Sequence, residues 1–264
     1  MSKLKALKEL EGDVLDVIRS SGNEFIKYAR SLRTKKGRRE SGAFLVEGEK
    51  CVEELITFMP GSIQSVIIVD DRYSCLKREA EAKGARVYRV TESVLESVCD
   101  CKTPQGIAAV AAQPRYNEIY SGFIVMLDDV QDPQNLGTII RTADAAGCSC
   151  VVLSRGSADC FSPKAVRASM GSLFHIPVIR AELIAYIEKL ASLGYDIACG
   201  HLKGDTDFAL DHKKTCLVIG NESRGVSEDI MRVSTKLLKI PIYGKAESLN
   251  AAVAAGILIY KIRT

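Results

Sequence analysis

The 264-residue sequence has no tryptophan, only three histidines and no long apolar run. A helix that spans a bilayer needs about 20 consecutive apolar residues, and no run here approaches that length. The start, MSKLKALKELEGD, also lacks the apolar core of a secretory signal peptide. Nine cysteines, an odd number with no C-x-x-C pair, favour a reducing compartment over a disulfide scaffold. We therefore expect a soluble cytoplasmic protein that does not enter a membrane.

The usual sequence patterns of a metal site are missing as well. The tight cysteine pairs, Cys99/Cys101 and Cys148/Cys150, have C-x-C spacing. Structural zinc sites usually have C-x-x-C or wider spacing, with further Cys or His at matching positions. The three histidines are scattered along the chain. We expect no bound metal, and we interpret the cysteines as small buried side chains.

The net charge of the chain is small, but one segment is strongly basic. The 36 Lys and Arg against 33 Asp and Glu leave a net charge of +3, which does not by itself indicate a polyanion partner. One segment, however, holds seven basic residues and no acidic one: Lys27, Arg30, Arg33, Lys35, Lys36, Arg38 and Arg39. Such a cluster can bind RNA phosphates, although an exposed helix end and loop explains the same run equally well.

What is present is an ordinary globular composition, 47% hydrophobic and 26% charged, in which short apolar runs alternate with helical stretches. In the first half, the strand-like runs are 43–48, 65–70, 86–90 and 106–112. In the second half, they are 122–130, 148–154, 175–179, 195–200, 215–220 and 237–242. This alternation predicts an α/β fold built on mostly parallel sheets.

The segment QPRYNEIYSG (113–122) interrupts the alternation with proline, glycine and polar residues, which is typical of a linker. A chain of this length forms either two domains or one large α/β domain. We place one domain at 1–113, with its core at 23–113, and the other at 122–264. The linker between them covers 114–121.

Three polar loops that contain glycine follow strands of the second half, at 128–147, 219–230 and 240–256. In parallel sheets, loops at the carboxyl ends of the strands bind ligands. The middle loop has G-x-x-x-x-G spacing, but Val226 stands where a phosphate-binding lysine is required, and no G-x-G-x-x-G motif occurs. Nucleoside triphosphate and NAD sites of the usual kind are therefore excluded.

Single residues of these loops also have structural explanations. Asn135 and Ser248 each precede or begin a helical stretch, so both could be N-caps that accept backbone hydrogen bonds. Gly137 could mark a close packing contact, and Arg141 could be a surface cation. Residues taken one at a time therefore leave both interpretations open.

Taken together, the loops resemble the three motifs of the SpoU (TrmH-like) RNA 2′-O-ribose methyltransferases of the SPOUT superfamily. The first motif, N-x-x-x-x-x-R, corresponds to Asn135 through Arg141. The second, G-N-E-x-x-G, corresponds to 220–225, and the third, I-P-x…S-L-N, to 240–250. The match runs through 123–262.

The segment 23–113 resembles the ribosomal-protein-like substrate-binding domain that precedes the catalytic domain in many members. The resemblance thus implies a smaller N-terminal α/β RNA-binding domain and a C-terminal SPOUT α/β domain with a mostly parallel sheet and a deep trefoil knot. It also implies S-adenosyl-L-methionine as the cofactor, a homodimer, and methyl transfer to a ribose 2′-hydroxyl.

Ribosomal RNA is the first substrate that we expect, and transfer RNA the second. Two alternatives stay open: a ribosome-protecting methyltransferase that gives antibiotic resistance, and a non-catalytic RNA-binding module that keeps the fold. The sequence contains no signal that separates housekeeping modification from resistance.

The resemblance also assigns roles to residues. Arg141 corresponds to the arginine at the reacting hydroxyl, where it acts either as a base or as an orienting group. The other catalytic positions are Asn135, Glu222, Ser248 and Asn250. The cofactor-binding positions are Ile219, Gly220, Ile240, Ile242 and Leu249. The seven basic residues of 27–39 become candidate RNA contacts, whereas we interpret Arg155, Lys164 and Arg167 as a solvated face.

Overall fold

The computed structural model describes residues 17–264, so residues 1–16 of the predicted first domain lie outside it. The α-helices are α1 (Glu24–Ser31), α2 (Lys35–Ser41), α3 (Glu49–Phe58), α4 (Ser74–Ala82), α5 (Glu92–Val98), α6 (Pro133–Ala145), α7 (Pro163–Ser169), α8 (Leu183–Ser192), α9 (Glu228–Val233) and α10 (Ala251–Arg263). The strands are β1 (Ala43–Glu47), β2 (Ile63–Ile68), β3 (Arg86–Arg89), β4 (Ile107–Ala112), β5 (Ile124–Leu127), β6 (Cys150–Leu153), β7 (Val178–Arg180), β8 (Asp196–Asp205), β9 (Thr215–Ile219) and β10 (Lys236–Leu238). No helix in this part of the chain is long and apolar enough to cross a bilayer.

The first sheet has four strands in the order β1-β4-β2-β3. Strand β4 runs antiparallel to both β1 and β2, and only β2 and β3 are parallel. The prediction of a mostly parallel sheet is therefore wrong for this half of the chain. A strand that is buried on both faces has a continuous apolar sequence whether it pairs parallel or antiparallel with its neighbours. The apolar pattern therefore does not predict the direction of β4.

The second sheet has six strands in the order β10-β8-β9-β5-β6-β7, and all of its pairs are parallel. This confirms the predicted α/β class. Strands β5, β6 and β9 are buried along their whole length, as expected for parallel strands covered on both faces. Because β5 and β9 are neighbours, the loops that follow them lie side by side.

The apolar run at 237–242 is only partly a strand. Strand β10 ends at Leu238, and Ile240 and Ile242 belong to the irregular segment that follows it. Their side chains line a cavity instead of pairing with a neighbouring strand. A short apolar run can thus belong to a buried strand or to the wall of a cavity, and its periodicity does not distinguish the two.

Short polar side chains fix the starts of two helices in the second half. Asp132 caps α6 by accepting a hydrogen bond from the backbone two residues further on, at 2.9 Å. Asn250 caps α10 by accepting from two backbone N–H groups of its first turn, at 2.9 and 3.3 Å. The structural explanation of Asn135 and Ser248 as N-caps is therefore wrong.

Gly137 lies where α6 and α7 approach closely. A Cβ atom built at this position would lie 2.5 Å from the carbonyl oxygen of Ala165 and 2.6 Å from Cβ of Ala168. Carbon atoms in folded proteins do not approach each other so closely. The interpretation of Gly137 as a packing contact is confirmed.

The two sheets share one apolar cluster. Phe44 of β1 contacts Phe161 and Phe174 of the second half, with ring centroids 4.8 and 6.4 Å apart. The same cluster contains buried side chains from both sheets, and two further clusters cover their other faces. Burial of apolar surface therefore holds the two halves of the chain together, in addition to the covalent linker.

Charged side chains surround this apolar contact. Arg38 is 4% exposed, pairs with Asp159 at 2.7 Å, and donates to two backbone carbonyls in its own half. Arg167 of α7 pairs with Glu47 at 2.8 Å and with Asp100 at 2.9 Å. Arg38 is thus buried and paired within the protein, which leaves little of its side chain for the predicted RNA contact. Arg167 is half-buried and paired with two carboxylates of the first half, so it is not part of a solvated face.

His175 joins the two halves at a third point. Its Nδ1 lies 2.8 Å from Asp144, and its Nε2 lies 2.8 Å from Glu54 of α3. Partial burial lowers the pKa of His175, but the hydrogen bonds to Asp144 and Glu54 raise it more, so the net shift is upward. The imidazolium form donates to both carboxylates, whereas the neutral ring can donate to only one of them.

We expect this contact to stabilise the protein most below neutral pH. Since the folded-state pKa is raised, the stabilisation is complete below the unfolded value of about 6.5 and is lost as the pH rises through the folded value. His175→Gln should lower the free energy of unfolding by about 1–3 kcal/mol near pH 6 and by clearly less in alkaline buffer. Denaturant unfolding at both pH values measures this, with His212→Gln as the matched control. An equal loss at both pH values would contradict the expectation.

Candidate functional site

The three polar loops meet at one edge of the second sheet. The loops after β5 and β9 follow neighbouring strands, and the third loop, 239–250, connects β10 to α10. Asn221 donates to the backbone carbonyl of Asp129 at 2.8 Å, and Asp128 accepts from the backbone N–H of Ser227 at 2.7 Å. These hydrogen bonds fix the first two loops to each other.

The Glu222 carboxylate connects the second loop to the start of α6. Its Oε1 accepts from the backbone N–H of Asp132 at 3.1 Å and from Nδ2 of Asn135 at 3.0 Å. Its Oε2 accepts from the backbone N–H of Gln131 at 3.1 Å. Negative charge is favourable here because unpaired N–H groups gather at a helix N-terminus.

These hydrogen bonds set the ionisation of Glu222. Partial burial raises the pKa of its carboxyl, but the hydrogen bonds from Asn135 and from backbone N–H groups lower it more, so the pKa lies below its ordinary value. The side chain is therefore ionised at neutral pH. It serves as a hydrogen-bond acceptor and not as a proton donor.

Asn135 continues the connection to the third loop. Its Nδ2 donates to Glu222, while its Oδ1 accepts from Nδ2 of Asn250 at 3.0 Å. Asn135 is 8% exposed, and a buried amide of this kind needs partners for both of its ends. Glu222, Asn135 and Asn250 thus form one line of hydrogen-bonded side chains across all three loops, which we call the motif bridge.

A cavity of about 280 Å³ adjoins the motif bridge. Its wall includes the five predicted cofactor positions: Ile219, Gly220, Ile240, Ile242 and Leu249. Glu222 and Ser248 also line it. Apolar residues and glycines make up most of this wall, an arrangement that suits a flat, partly apolar ligand.

Gly220 lies where the second loop turns back on itself. Asn221 and Gly225 exchange two backbone hydrogen bonds of 2.9 Å just beyond it. A Cβ atom at position 220 would lie 2.1 Å from the carbonyl carbon of Gly225 and 2.1 Å from the backbone nitrogen of Val226. A larger residue therefore cannot be accommodated at position 220 unless the backbone of the loop moves.

Arg141 lies apart from the motif bridge. It is exposed on α6, about 9 Å along the helix axis and about 120° around it from Asn135. Helix α6 packs along α10 in this region. The structure thus brings Asn135, Glu222 and Asn250 together and places Ser248 on the cavity wall, but it does not bring Arg141 into hydrogen-bonding contact with them.

Part of the cavity wall was not singled out from the sequence. Gly200, His201 and Leu202 of β8 and Leu258 of α10 line it. Because β8 lies beside β9 in the parallel sheet, the rule that ligands bind at the carboxyl ends of adjacent strands could have identified the three β8 residues. Leu258 enters the wall through the packing of α10, which no local motif reports.

The fold separates the basic residues of 27–39 into different environments. Arg38 is buried, Arg30 donates to the backbone carbonyl of Ser21 at 2.7 Å, and Arg33 lies 3.7 Å from Asp100. Arg33 nevertheless remains exposed, as do four cations of α1 and α2: Lys27, Lys35, Lys36 and Arg39. The surface that can meet a polyanion is therefore smaller than the sequence predicts.

The cations interpreted as a solvated face also differ from one another. Arg155 is exposed, as predicted. Lys164 is exposed but pairs with Asp132, the N-cap of α6, at 3.0 Å. With Arg167 at the contact between the two halves, these three residues do not form a common surface.

Two family models match the chain. The SpoU rRNA Methylase family matches residues 122–260, which contain the six-stranded sheet and all three polar loops. The MRM3-like substrate binding domain matches residues 23–109, which contain most of the four-stranded sheet.

Similar proteins match over nearly the whole chain. The 23S rRNA (guanosine(2553)-2′-O)-methyltransferase RlmP of Bacillus subtilis is 38% identical over 248 residues, covering 93% of this chain and 98% of the relative. The crystal structure of an rRNA methyltransferase from Sinorhizobium meliloti has a TM-score of 0.84 at 33% identity, covering 94% of this chain and 96% of that chain. The SpoU methyltransferase AviRb from Streptomyces viridochromogenes, solved with the cofactor AdoMet, has a TM-score of 0.78 at 27% identity. The match covers 90% of this chain and 97% of that chain. The resemblance drawn from the three motifs is confirmed, and this chain belongs to the SpoU rRNA methylase family.

Proposed function

We propose that this protein transfers a methyl group from S-adenosyl-L-methionine to a ribose 2′-hydroxyl of ribosomal RNA. The observation that carries the proposal is the motif bridge, in which side chains from three separate loops are hydrogen-bonded in line beside a cavity. The relatives support the chemistry, since one is named as an rRNA 2′-O-methyltransferase and another was solved with AdoMet.

The cavity fits the adenosyl part of this cofactor. Ile219, Ile240, Ile242 and Leu249 offer apolar surface to a flat ring. Gly220 allows the second loop to fold back tightly beside them. Polar recognition here comes from loop backbone, which agrees with the absence of the usual nucleotide motifs from the sequence. When bound, the cofactor supplies a methyl group on a positively charged sulfur atom.

The protein's own residues position the RNA hydroxyl. The motif bridge holds the loops in place before the reaction, so little reorganisation is needed during it. A guanidinium group keeps its positive charge in proteins and is therefore a poor base; we assign Arg141 to orienting the 2′-hydroxyl or the adjacent phosphate. Fixed geometry of this kind can remove about 7–11 kcal/mol from a barrier. The transfer as proposed needs no metal.

The function is tested with radiolabelled S-adenosyl-L-methionine and unmodified RNA. We expect label in 23S rRNA transcripts, recovered as a 2′-O-methylated nucleotide, and none in transfer RNA. Label in transfer RNA alone would favour the second substrate class. Cofactor binding without transfer to any RNA would favour a non-catalytic RNA-binding module.

In this proposal, RNA is captured by the exposed cations of α1 and α2. Lys35 and Lys36 lie in the first turn of α2, and Lys36 has only a weak exposed pair with Glu40 at 3.9 Å. Replacing both lysines by glutamine should reduce the slope of log affinity against log salt by about 1.5, because each phosphate contact contributes about 0.7–0.9. Filter binding over a salt series measures the slope.

Lys83→Gln is the matched control, since Lys83 is an exposed lysine of the same half outside the basic run. It should leave the salt slope as in the wild type. An unchanged slope in the double variant would show that Lys35 and Lys36 do not contact RNA and belong to an ordinary solvated surface.

We also propose a homodimer formed through α10. Val253, Ile257 and Tyr260 follow one another at helical spacing and are 52%, 42% and 47% exposed, so they form an apolar stripe on one face of the helix. Leu249 at the cavity is 38% exposed nearby in sequence. A second copy on this stripe would lie close to the cavity and to α6, where Arg141 is exposed.

We expect Ile257→Glu to break this dimer, because a charge would be buried against the partner's apolar stripe. Sedimentation should change from the mass of two chains to that of one, and methyl transfer should fall with it. Leu193→Glu is the control, since Leu193 is a similarly exposed residue beyond α8. A dimer that survives in the Ile257 variant would contradict this interface.

Three further features belong to the same proposal. The half at 1–113 captures RNA and the half at 122–264 carries the reaction, with 114–121 between them. The C-terminal segment forms the deep trefoil knot that the resemblance implies, and the hydrogen bond from Asn250 to Asn135 brings the third loop against the first. All nine cysteines are free thiols, which supports a reducing cytoplasm.

A further inference from the structure

A second cluster of chemically reactive side chains lies at the contact between the two halves. The sulfur atoms of Cys99 and Cys101 and a carboxylate oxygen of Glu47 all lie within 4.8 Å of one another. Across residues 17–264, no other three His, Cys, Asp or Glu side chains come this close. The cluster lines a cavity of about 250 Å³, and Cys51 lines the same cavity.

We propose that this cluster binds a zinc ion. Zinc takes cysteine sulfur and carboxylate oxygen at about 2.0–2.3 Å, so the donors of a tetrahedral site lie about 3.3–3.8 Å apart. Cys99, Cys101 and Glu47 reach that spacing by movements of about 1 Å. Two thiolates select a soft divalent ion over magnesium or calcium. Cys51 or a water molecule takes the fourth position from the side of the cavity.

The hydrogen bonds around Glu47 leave an acceptor site for the ion. Glu47 is 4% exposed. Its Oε1 accepts from the backbone N–H of Asp100 at 2.7 Å, and its Oε2 accepts from the backbone N–H of Cys101 at 3.2 Å and from Arg167 at 2.8 Å. A carboxylate has about four lone-pair directions, so Oε1 keeps one for the metal. The other contacts hold the carboxylate in place, as outer hydrogen bonds do in metal sites.

Arg167 also balances the charge of the site. Two thiolates and one carboxylate carry three negative charges, the ion carries two positive charges, and Arg167 adds one more. Binding releases the two thiol protons to solvent. With water as the fourth ligand these charges sum to zero, and Asp100, the other partner of Arg167, also has Arg33 at 3.7 Å. This balance lowers the cost of placing the charges in a largely buried position.

The proposed ion joins two elements of the first half next to its contact with the second half. It ties β1, which carries Glu47, to the turn at 99–101, beside the salt bridge that Glu47 makes with Arg167 of α7. C-x-C spacing alone offers only two donors, and the third donor is distant in sequence. The cluster is therefore visible only in the folded chain.

The test uses the full-length, reduced, metal-free protein, with Co²⁺ as a spectroscopic probe and Zn²⁺ as its competitor. We expect one equivalent of Co²⁺ to give a sulfur-to-metal charge-transfer band, which Zn²⁺ then abolishes. Cys101→Ser should weaken Zn²⁺ binding by at least about tenfold. Cys75→Ser is the matched control, because Cys75 is exposed and lies outside the cluster.

The wild-type spectrum decides the question without relying on the folding of any variant. Absence of the charge-transfer band in the reduced wild-type protein would overturn the site. Equal weakening by Cys75→Ser and Cys101→Ser would overturn it as well. The inference does not rest on the proposed methyl transfer, and neither readout depends on activity.

Discussion

Replacing Arg141 by alanine is expected to abolish methyl transfer while leaving the affinity for S-adenosyl-L-methionine nearly unchanged. The side chain is exposed on α6 and belongs neither to the cavity wall nor to the motif bridge, so its loss leaves the proposed cofactor site intact. Removal of a preorganised group that stabilises a transition state lowers kcat by about 10²–10³. Initial rates with labelled cofactor and calorimetric titration of the cofactor measure the two effects separately.

Two further variants complete this experiment. Arg232→Ala is the matched control, because Arg232 is an exposed arginine of α9 that pairs only with Glu228 and Asp229 at the surface. It should keep full activity. Arg141→Lys keeps the charge but not the planar fork, so its kcat should lie between those of the wild type and Arg141→Ala.

The outcome for Arg141→Ala also separates the competing roles. Full activity would remove Arg141 from the reaction. A loss of cofactor affinity as large as the loss of kcat would place the side chain in cofactor binding instead.

Gly220→Ala is expected to weaken cofactor binding by about 10- to 100-fold. The added Cβ atom would lie 2.1 Å from the backbone of Gly225 and of Val226, so the second loop has to open. Overpacking of this kind costs about 1–3 kcal/mol, and each 1.4 kcal/mol corresponds to about tenfold in affinity. Calorimetric titration measures the affinity, and circular dichroism confirms that the variant is folded.

Gly244→Ala is the control for this substitution. Gly244 also lies in a site loop, but nothing lies within 4 Å of the Cβ atom built at that position. Its cofactor affinity should match that of the wild type. Wild-type affinity in Gly220→Ala would show that the loop adapts and that glycine is not required there.

The motif residues were predicted from the resemblance of three loops to the SpoU motifs, since each residue taken alone left a structural explanation open. Asn135, Glu222 and Asn250 follow buried strands or precede helices, and parallel strands bring such positions to one edge of a sheet. The structure shows that these three side chains are joined by hydrogen bonds. The alternation of strand-like and helical segments likewise predicted the α/β class. The spacing of apolar residues differs between strands and helices, because their side chains face the core at different intervals.

What the sequence did not predict depends on partners from the other half of the chain. Arg38 lies in the same basic run as the exposed Lys36, yet it is buried because Asp159 of the second half lies opposite it. The direction of β4 and the approach of Glu47 to Cys99 are also set by packing over long sequence distances. The spacing of apolar residues indicates which side chains are buried, but it does not indicate which distant residues they pack against.

Asn250 has two tasks, since it caps α10 and also completes the motif bridge. Formation of the last helix and completion of the site therefore depend on one side chain. A chain grows on the ribosome from its N-terminus, and its domains fold as they emerge. Asn135 and Glu222 emerge first, so a nascent chain cannot hold a complete site until residue 250 and the first turn of α10 have left the ribosome. The site is thus completed by its third loop, after the other two have been translated.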